Sequence, residues 1–157
     1  MLNETLSKKR VHWPLLSKRG CLSCHTPHAS TAKGLIRGSL SDACAACHKD
    51  SVARQKRSPT KHEPVDKGQC MSCHVPHASD QVFLLAQPSV IDLCGKCHDW
   101  LKHSSHPLGD KIVDPRNKNI TVDCLSCHRS HGTEYKHFIY FATTSEMCTQ
   151  CHIKFKR

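Results

Sequence analysis

Aromatic residues make up only 5% of this 157-residue chain, and apolar residues of all kinds 38%. That is thin material for the close-packed interior on which a domain of this length ordinarily rests. Something other than aliphatic and aromatic side chains must fill the middle of the molecule. Long apolar runs are missing too. The longest are short stretches such as Val82 to Ala86 and Phe138 to Ala142, far below the roughly 18 to 20 residues that cross a bilayer, so no membrane-spanning helix is expected. The first ten residues, Met1 to Arg10, carry basic side chains without an apolar segment or a small-residue cleavage site after them, and do not read as a secretory leader. Acidic residues are the minority charge, 13 against 23 Lys and Arg, leaving a formal net charge of +10.

Cysteine and histidine are abundant, with 12 and 14 copies. In a short chain this means a disulfide scaffold or the ligation of metals or cofactors. Every cysteine falls into one pattern: Cys21-Leu-Ser-Cys24-His25, Cys44-Ala-Ala-Cys47-His48, Cys70-Met-Ser-Cys73-His74, Cys94-Gly-Lys-Cys97-His98, Cys124-Leu-Ser-Cys127-His128 and Cys148-Thr-Gln-Cys151-His152. Two cysteines three apart on a helical turn can reach one edge of a porphyrin and form thioethers with its vinyl groups. The histidine that follows then lies beneath the ring as the proximal iron ligand, which is why CxxCH reads as c-type haem attachment. Cysteine spacing by itself also permits zinc ribbons, since Cys24 and Cys44, Cys73 and Cys94, and Cys127 and Cys148 lie at the separation such sites use. A zinc ribbon does not require a histidine after every second cysteine. At this chain's histidine content, six such placements by chance have odds on the order of one in a million. The expected cofactors are therefore six haem c.

The six motifs form three pairs. Their first members continue as His25-Thr-Pro-His28-Ala-Ser, His74-Val-Pro-His77-Ala-Ser and His128-Arg-Ser-His131-Gly-Thr. An apolar patch follows each (Leu35-Ile36, Phe83-Leu84-Leu85, Phe138-Ile139), and then the second member, introduced by Ser41-Asp42-Ala43, Ile91-Asp92-Leu93 or Ser145-Glu146-Met147. An acid at that place suits a helix N-terminus, where it can cap free amides and favour the dipole. Upstream of each pair stands another histidine: His12, His62 and His106. The repeats thus run over about 12–48, 62–98 and 106–152 within one domain spanning 1–157, with Asp110 to Thr121 reading as an inserted surface loop.

This arrangement resembles the doubled-CXXCH family of multihaem cytochromes, and the resemblance covers almost the whole chain. It implies haem attachment and haem pairing in electron carriers of the periplasm or cell exterior. The family includes soluble shuttles, subunits of membrane oxidoreductases and extracellular filaments. Ser130 departs from the pattern, standing where the other repeats have Pro27 and Pro76.

Eight histidines lie outside the motifs. Six recur in the repeats, two per unit: His12 with His28, His62 with His77, and His106 with His131. They match the demand of six haems for a second axial ligand, and bis-histidine, low-spin, low-potential haems are expected. A histidine three residues after a proximal one cannot pass round the macrocycle to the other face of the same iron, so His28, His77 and His131 should each serve a different haem. His103 and His137 have no repeat equivalents and read as surface or propionate-bonding residues, with His103 a rival to His106. Met71 and Met147 do not recur and are not expected to ligate iron.

With about 26 residues per haem, the polypeptide can only wrap its cofactors. The expected fold is mostly loop with short helices and little or no β-structure, organised by the haems into three two-haem repeats. Each ferric bis-histidine haem with ionised propionates contributes about −1, bringing the total to about +4 and, on full reduction, to about −2. The basic excess is thus propionate compensation rather than a nucleic-acid signal, and the expected partners are redox donors and acceptors, with self-association or a larger complex beside them. Function reads as electron transfer without a catalytic residue. Two alternatives remain: a reductase with an open haem iron, and a filament or complex subunit in which His12 ligates across a subunit boundary. Haem attachment to CxxCH places the protein in the periplasm or outside the cell.

Overall fold

The computed structural model describes residues 2–99 and 106–155. His103, one of the unassigned histidines above, lies outside them.

Long stretches of irregular chain join short helices: α1 (Leu2–Leu6), α2 (Leu40–Arg57), α3 (Glu63–Asp66), α4 (Val90–Gly95) and α5 (Thr144–Thr149). Strand structure is confined to two small antiparallel sheets. In one, β1 (Arg10–Val11) pairs with β2 (Ala78–Ser79); in the other, β3 (Val113–Asp114) pairs with β4 (Asn117–Thr121). The second sheet is the segment from Asp110 to Thr121 that the sequence marks as a loop. It folds instead as a hairpin, because Asp114 is wholly buried and takes Arg116 in a two-oxygen ion pair, while the same guanidinium donates to the Ser126 carbonyl and ties the hairpin to the fifth motif.

The two members of each motif pair use different local structure. Second members lie on or at the end of α2, α4 and α5, whose first turns are capped by hydroxyls: Ser39, Ser89 and Thr143 accept from the amides of Asp42, Asp92 and Glu146. The capping group is therefore the Ser or Thr three residues earlier. The acid sits in the first turn, where its charge suits the dipole, and only Glu146 returns a bond to the cap amide, closing a capping box. First members form single 3₁₀ turns, Gly20–Ser23, Cys70–Ser72 and Cys124–Ser126.

Among the described residues the buried apolar side chains are only Pro14, Ala78, Leu85 and Val122. The polypeptide exposes 11737 Å², whereas a folded chain of this mass ordinarily exposes about 7,900 Å². Trp13 and Phe83 remain 65% and 74% exposed.

Candidate haem sites

Each first-motif histidine is oriented by a backbone carbonyl nine residues on. His25 Nδ1 lies 2.6 Å from the Gly34 carbonyl, His74 Nδ1 2.8 Å from that of Phe83, and His128 Nδ1 2.6 Å from that of His137. An Nδ1–H donor fixes the tautomer and leaves Nε2 with a free lone pair able to bind a metal. The carbonyls are presented by a tight turn with two successive residues in the left-handed region: Gly34-Leu35, Phe83-Leu84 and His137-Phe138. A bridge from each histidine to Ile36, Leu85 or Ile139, with a hydroxyl of Ser30, Ser79 or Thr133 bonded to the carbonyl of the same residue, closes the loop three times over. The sequence hints at this device through Gly34 and, more weakly, His137, whereas Phe83 is a residue type that rarely adopts positive φ.

The proximal rings are met by other histidines in a fixed register. Ring centres lie 6.0 Å apart for His12 and His48, 6.1 Å for His62 and His98, and 6.5 Å for His106 and His152. In each repeat, then, the upstream histidine faces the second motif of its own repeat. The other class crosses between repeats: His77 stands 6.0 Å from His25, and His131 6.0 Å from His74. A histidine following the first motif thus faces the first motif of the preceding repeat. Interplanar angles range from 17° for His12 and His48 to 84° for His106 and His152.

This spacing fits one iron between two imidazoles. A ring nitrogen binds a metal at about 2.0 Å and the ring centre lies about 1.1 Å behind it, so two rings sharing one iron stand about 6.2 Å apart. Burial lowers the pKa of His12, His62 and His131, with nearby imidazoles adding to the effect, and so keeps them in the neutral form that binds metal. His12 is further aimed by its Nδ1, 2.8 Å from the Pro76 carbonyl, whereas the buried Nδ1 of His62 has no partner among the described residues. His12 therefore faces its own chain. His28 is exposed and meets none of the six proximal rings.

All twelve cysteines are free of disulfides, and no three metal-binding side chains converge among the described residues, as a zinc ribbon would require. Their contacts order the motifs in space. Cys44 lies beside Cys70 and Cys94 beside Cys124, joining successive repeats. Within repeats Cys24 lies near Cys44, Cys73 near Cys97, and Cys127 near Cys148 and Cys151. Burial chiefly pushes the Cys44 thiol up, to about 11; Cys94 is raised, first by the neighbouring Cys124 thiol, and Cys124 correspondingly lowered. Neighbouring attachment points therefore follow chain order from the first motif to the sixth.

The family model for the doubled CXXCH motif matches residues 12–53, 62–103 and 117–157. The chain belongs to this family of multihaem c-type cytochromes. Each match takes in one motif pair, and the third begins within the inserted hairpin, beyond His106. A comparison with curated proteins finds no match to this cytochrome. The paired motifs imply covalently bound haem c, the family implies an electron carrier, and such cytochromes typically work outside the cytoplasm. No helix among the described residues is long and apolar enough to cross a membrane.

Proposed function

We propose that this cytochrome carries six haem c and conducts electrons along them in chain order, between redox protein donors and acceptors of the periplasm or cell exterior. Haem c supplies a one-electron couple when bound; the polypeptide anchors, ligates and spaces it. The anchors are the cysteines of the six motifs, and the proximal ligands are His25, His48, His74, His98, His128 and His152. The observation that carries the reading is the five histidine pairs with ring centres 6.0–6.5 Å apart, which support His77, His12, His131, His62 and His106 as second ligands of the first, second, third, fourth and sixth haems.

For the fifth haem the histidine left within the chain is His103. His137 is excluded because its backbone holds the Nδ1 of His128, which puts it on the proximal side of that ring. His28 is excluded by its exposure and lack of a ring partner. Axial saturation of this kind favours outer-sphere transfer over substrate chemistry at iron and calls for no acid–base residue. The whole chain acts as one haem-organised domain, with the basic excess compensating propionates rather than binding nucleic acid.

The test is intact mass combined with low-temperature EPR of the oxidised holoprotein. A mass gain of six haems with low-spin ferric signals alone is expected. A smaller gain, or a high-spin iron in the wild type, would overturn the saturated-wire reading and revive that of a reductase with an open site.

A further inference from the structure

The joint between successive repeats has two parts, and it occurs twice in the described chain. One part is the crossed histidine contact, His77 on His25 and His131 on His74. The other is a short antiparallel pairing just beyond that histidine, with the segment leading into the preceding repeat's upstream histidine. At the first joint, Ala78 and Ser79 pair with Val11 and Arg10, and the His12 amide donates to the His77 carbonyl at 2.9 Å. At the second, Thr133 and Thr60 exchange both backbone hydrogen bonds at 3.2 Å, two residues before His62. Each repeat therefore offers two different faces: one built around His28, His77 or His131, the other around His12, His62 or His106.

Repeat one carries the first kind of face with nothing on it. His28-Ala29-Ser30 occupies the place of His77-Ala78-Ser79 and His131-Gly132-Thr133, and Ser30 makes the same hydroxyl bond, to the Ile36 carbonyl, as Ser79 and Thr133 make to theirs. The local fold that presents the histidine is thus in place. Yet His28 meets no ring, and Ala29 and Ser30 form no strand or bridge, while Ala78 and Ser79 are buried in theirs. An unpaired edge next to an exposed ligand is the unfilled half of a joint the chain closes elsewhere.

We propose that this face is completed by a doubled-CXXCH repeat lying outside these 157 residues: His28 is an axial ligand to the iron of that repeat's first haem, and Ala29-Ser30 pairs with the segment ahead of its upstream histidine. The proposal rests on the bis-histidine reading above and extends it to a contact between units. By the register inside the chain, the incoming repeat's second haem would then abut the first haem of this cytochrome, so the joint also continues the electron path.

The probe is the ferric haem undecapeptide released by proteolysis of a c-type cytochrome, which keeps one CxxCH, its proximal histidine and a free sixth position. Titrated with wild-type holoprotein, one equivalent should pass from high-spin to low-spin in EPR. His28→Ala should weaken this about tenfold or more, whereas Lys18→Ala, at another exposed side chain able to ligate iron, should leave it unchanged. Sedimentation of the wild type alone checks the source of the repeat. A monomer that binds the haem peptide agrees with a repeat outside these residues; oligomers that vanish in His28→Ala would seat His28 on a haem of a second copy, whose irons the reading above saturates, and would overturn the proposal. Equal binding by wild type and His28→Ala would overturn it too. So would a high-spin iron in monomeric His28→Ala, since His28 would then serve its own chain. In that last case the six-haem reading survives, so the two failures are distinguishable.

Discussion

Gly132→Ala tests whether the joint between the second and third repeats holds His131 on its haem. Gly132 directly follows His131 and has φ of +77°, a left-handed conformation that costs an L-residue roughly 1–2 kcal/mol. A Cβ added there would lie 2.9 Å from both Cβ and Oγ of Ser58 and 3.1 Å from Gln55 Oε1. Neither neighbour yields easily. Ser58 and Gln55 are each 2% exposed, and Gln55 is anchored through its amide to the His62 carbonyl. Overpacking of this kind costs about 1–3 kcal/mol, and the stiffer unfolded chain returns only about 0.4–1 kcal/mol. The net loss of about 2–3 kcal/mol should lower the thermal midpoint of the holoprotein by roughly 5–10 °C. Because the clash pushes on the residue beside His131, it should also free the third haem's iron, giving one high-spin signal in EPR. Adding Ser58→Gly removes the two closest contacts and leaves the Gln55 contact and the conformational cost, so the double variant should recover part of the midpoint. A Gly132→Ala protein with wild-type midpoint and a wholly low-spin spectrum would refute the reasoning.

Three further outcomes follow from the same geometry. His77→Ala should leave one high-spin iron, at the first haem, with the full six-haem mass, because thioether attachment does not use the crossed ligand; loss of a haem by mass would contradict that separation. His103→Ala should likewise produce one high-spin iron in the monomer while His28→Ala produces none, and the opposite pattern in EPR would exchange the two assignments. The buried Asp114 carboxyl is held down to about 2, chiefly by its bond to Arg116. A depressed folded-state value contributes stability above the unfolded value of 3.8, and that contribution is lost as pH falls through about 2. At about 1.4 kcal/mol per pH unit it amounts to about 2 kcal/mol. Thermal midpoints measured from pH 5 downward should therefore fall more steeply for the wild type than for Asp114→Asn, and parallel curves would show that the ion pair does not anchor the hairpin.

The covalent chemistry was legible in the sequence because it is local. Two cysteines and a histidine within five residues, as at Cys21 to His25, suffice to mark attachment, and three similar stretches suffice to mark the repeat. The recurrence of two further histidines per repeat was legible too. Capping was half legible: Asp42 and Asp92 mark helix starts, but the hydroxyls of Ser39 and Ser89 close them. What the tertiary structure alone decided is which histidine ring lies against which motif histidine. That depends on one repeat lying against the next, and residue types carry no record of the register: His28, His77 and His131 look alike in sequence, yet only the latter two have a preceding repeat within the described chain to face. The carbonyls that orient His74 and His128 were hidden for a related reason. Phe83 takes positive φ against its own preference, as His137 does more easily, and both are held there by the bridge and hydroxyl bonds that close each turn. The burial of Asp114 turned an apparent loop into a hairpin, because a carboxylate removed from water needs the guanidinium that Arg116 brings back across the turn.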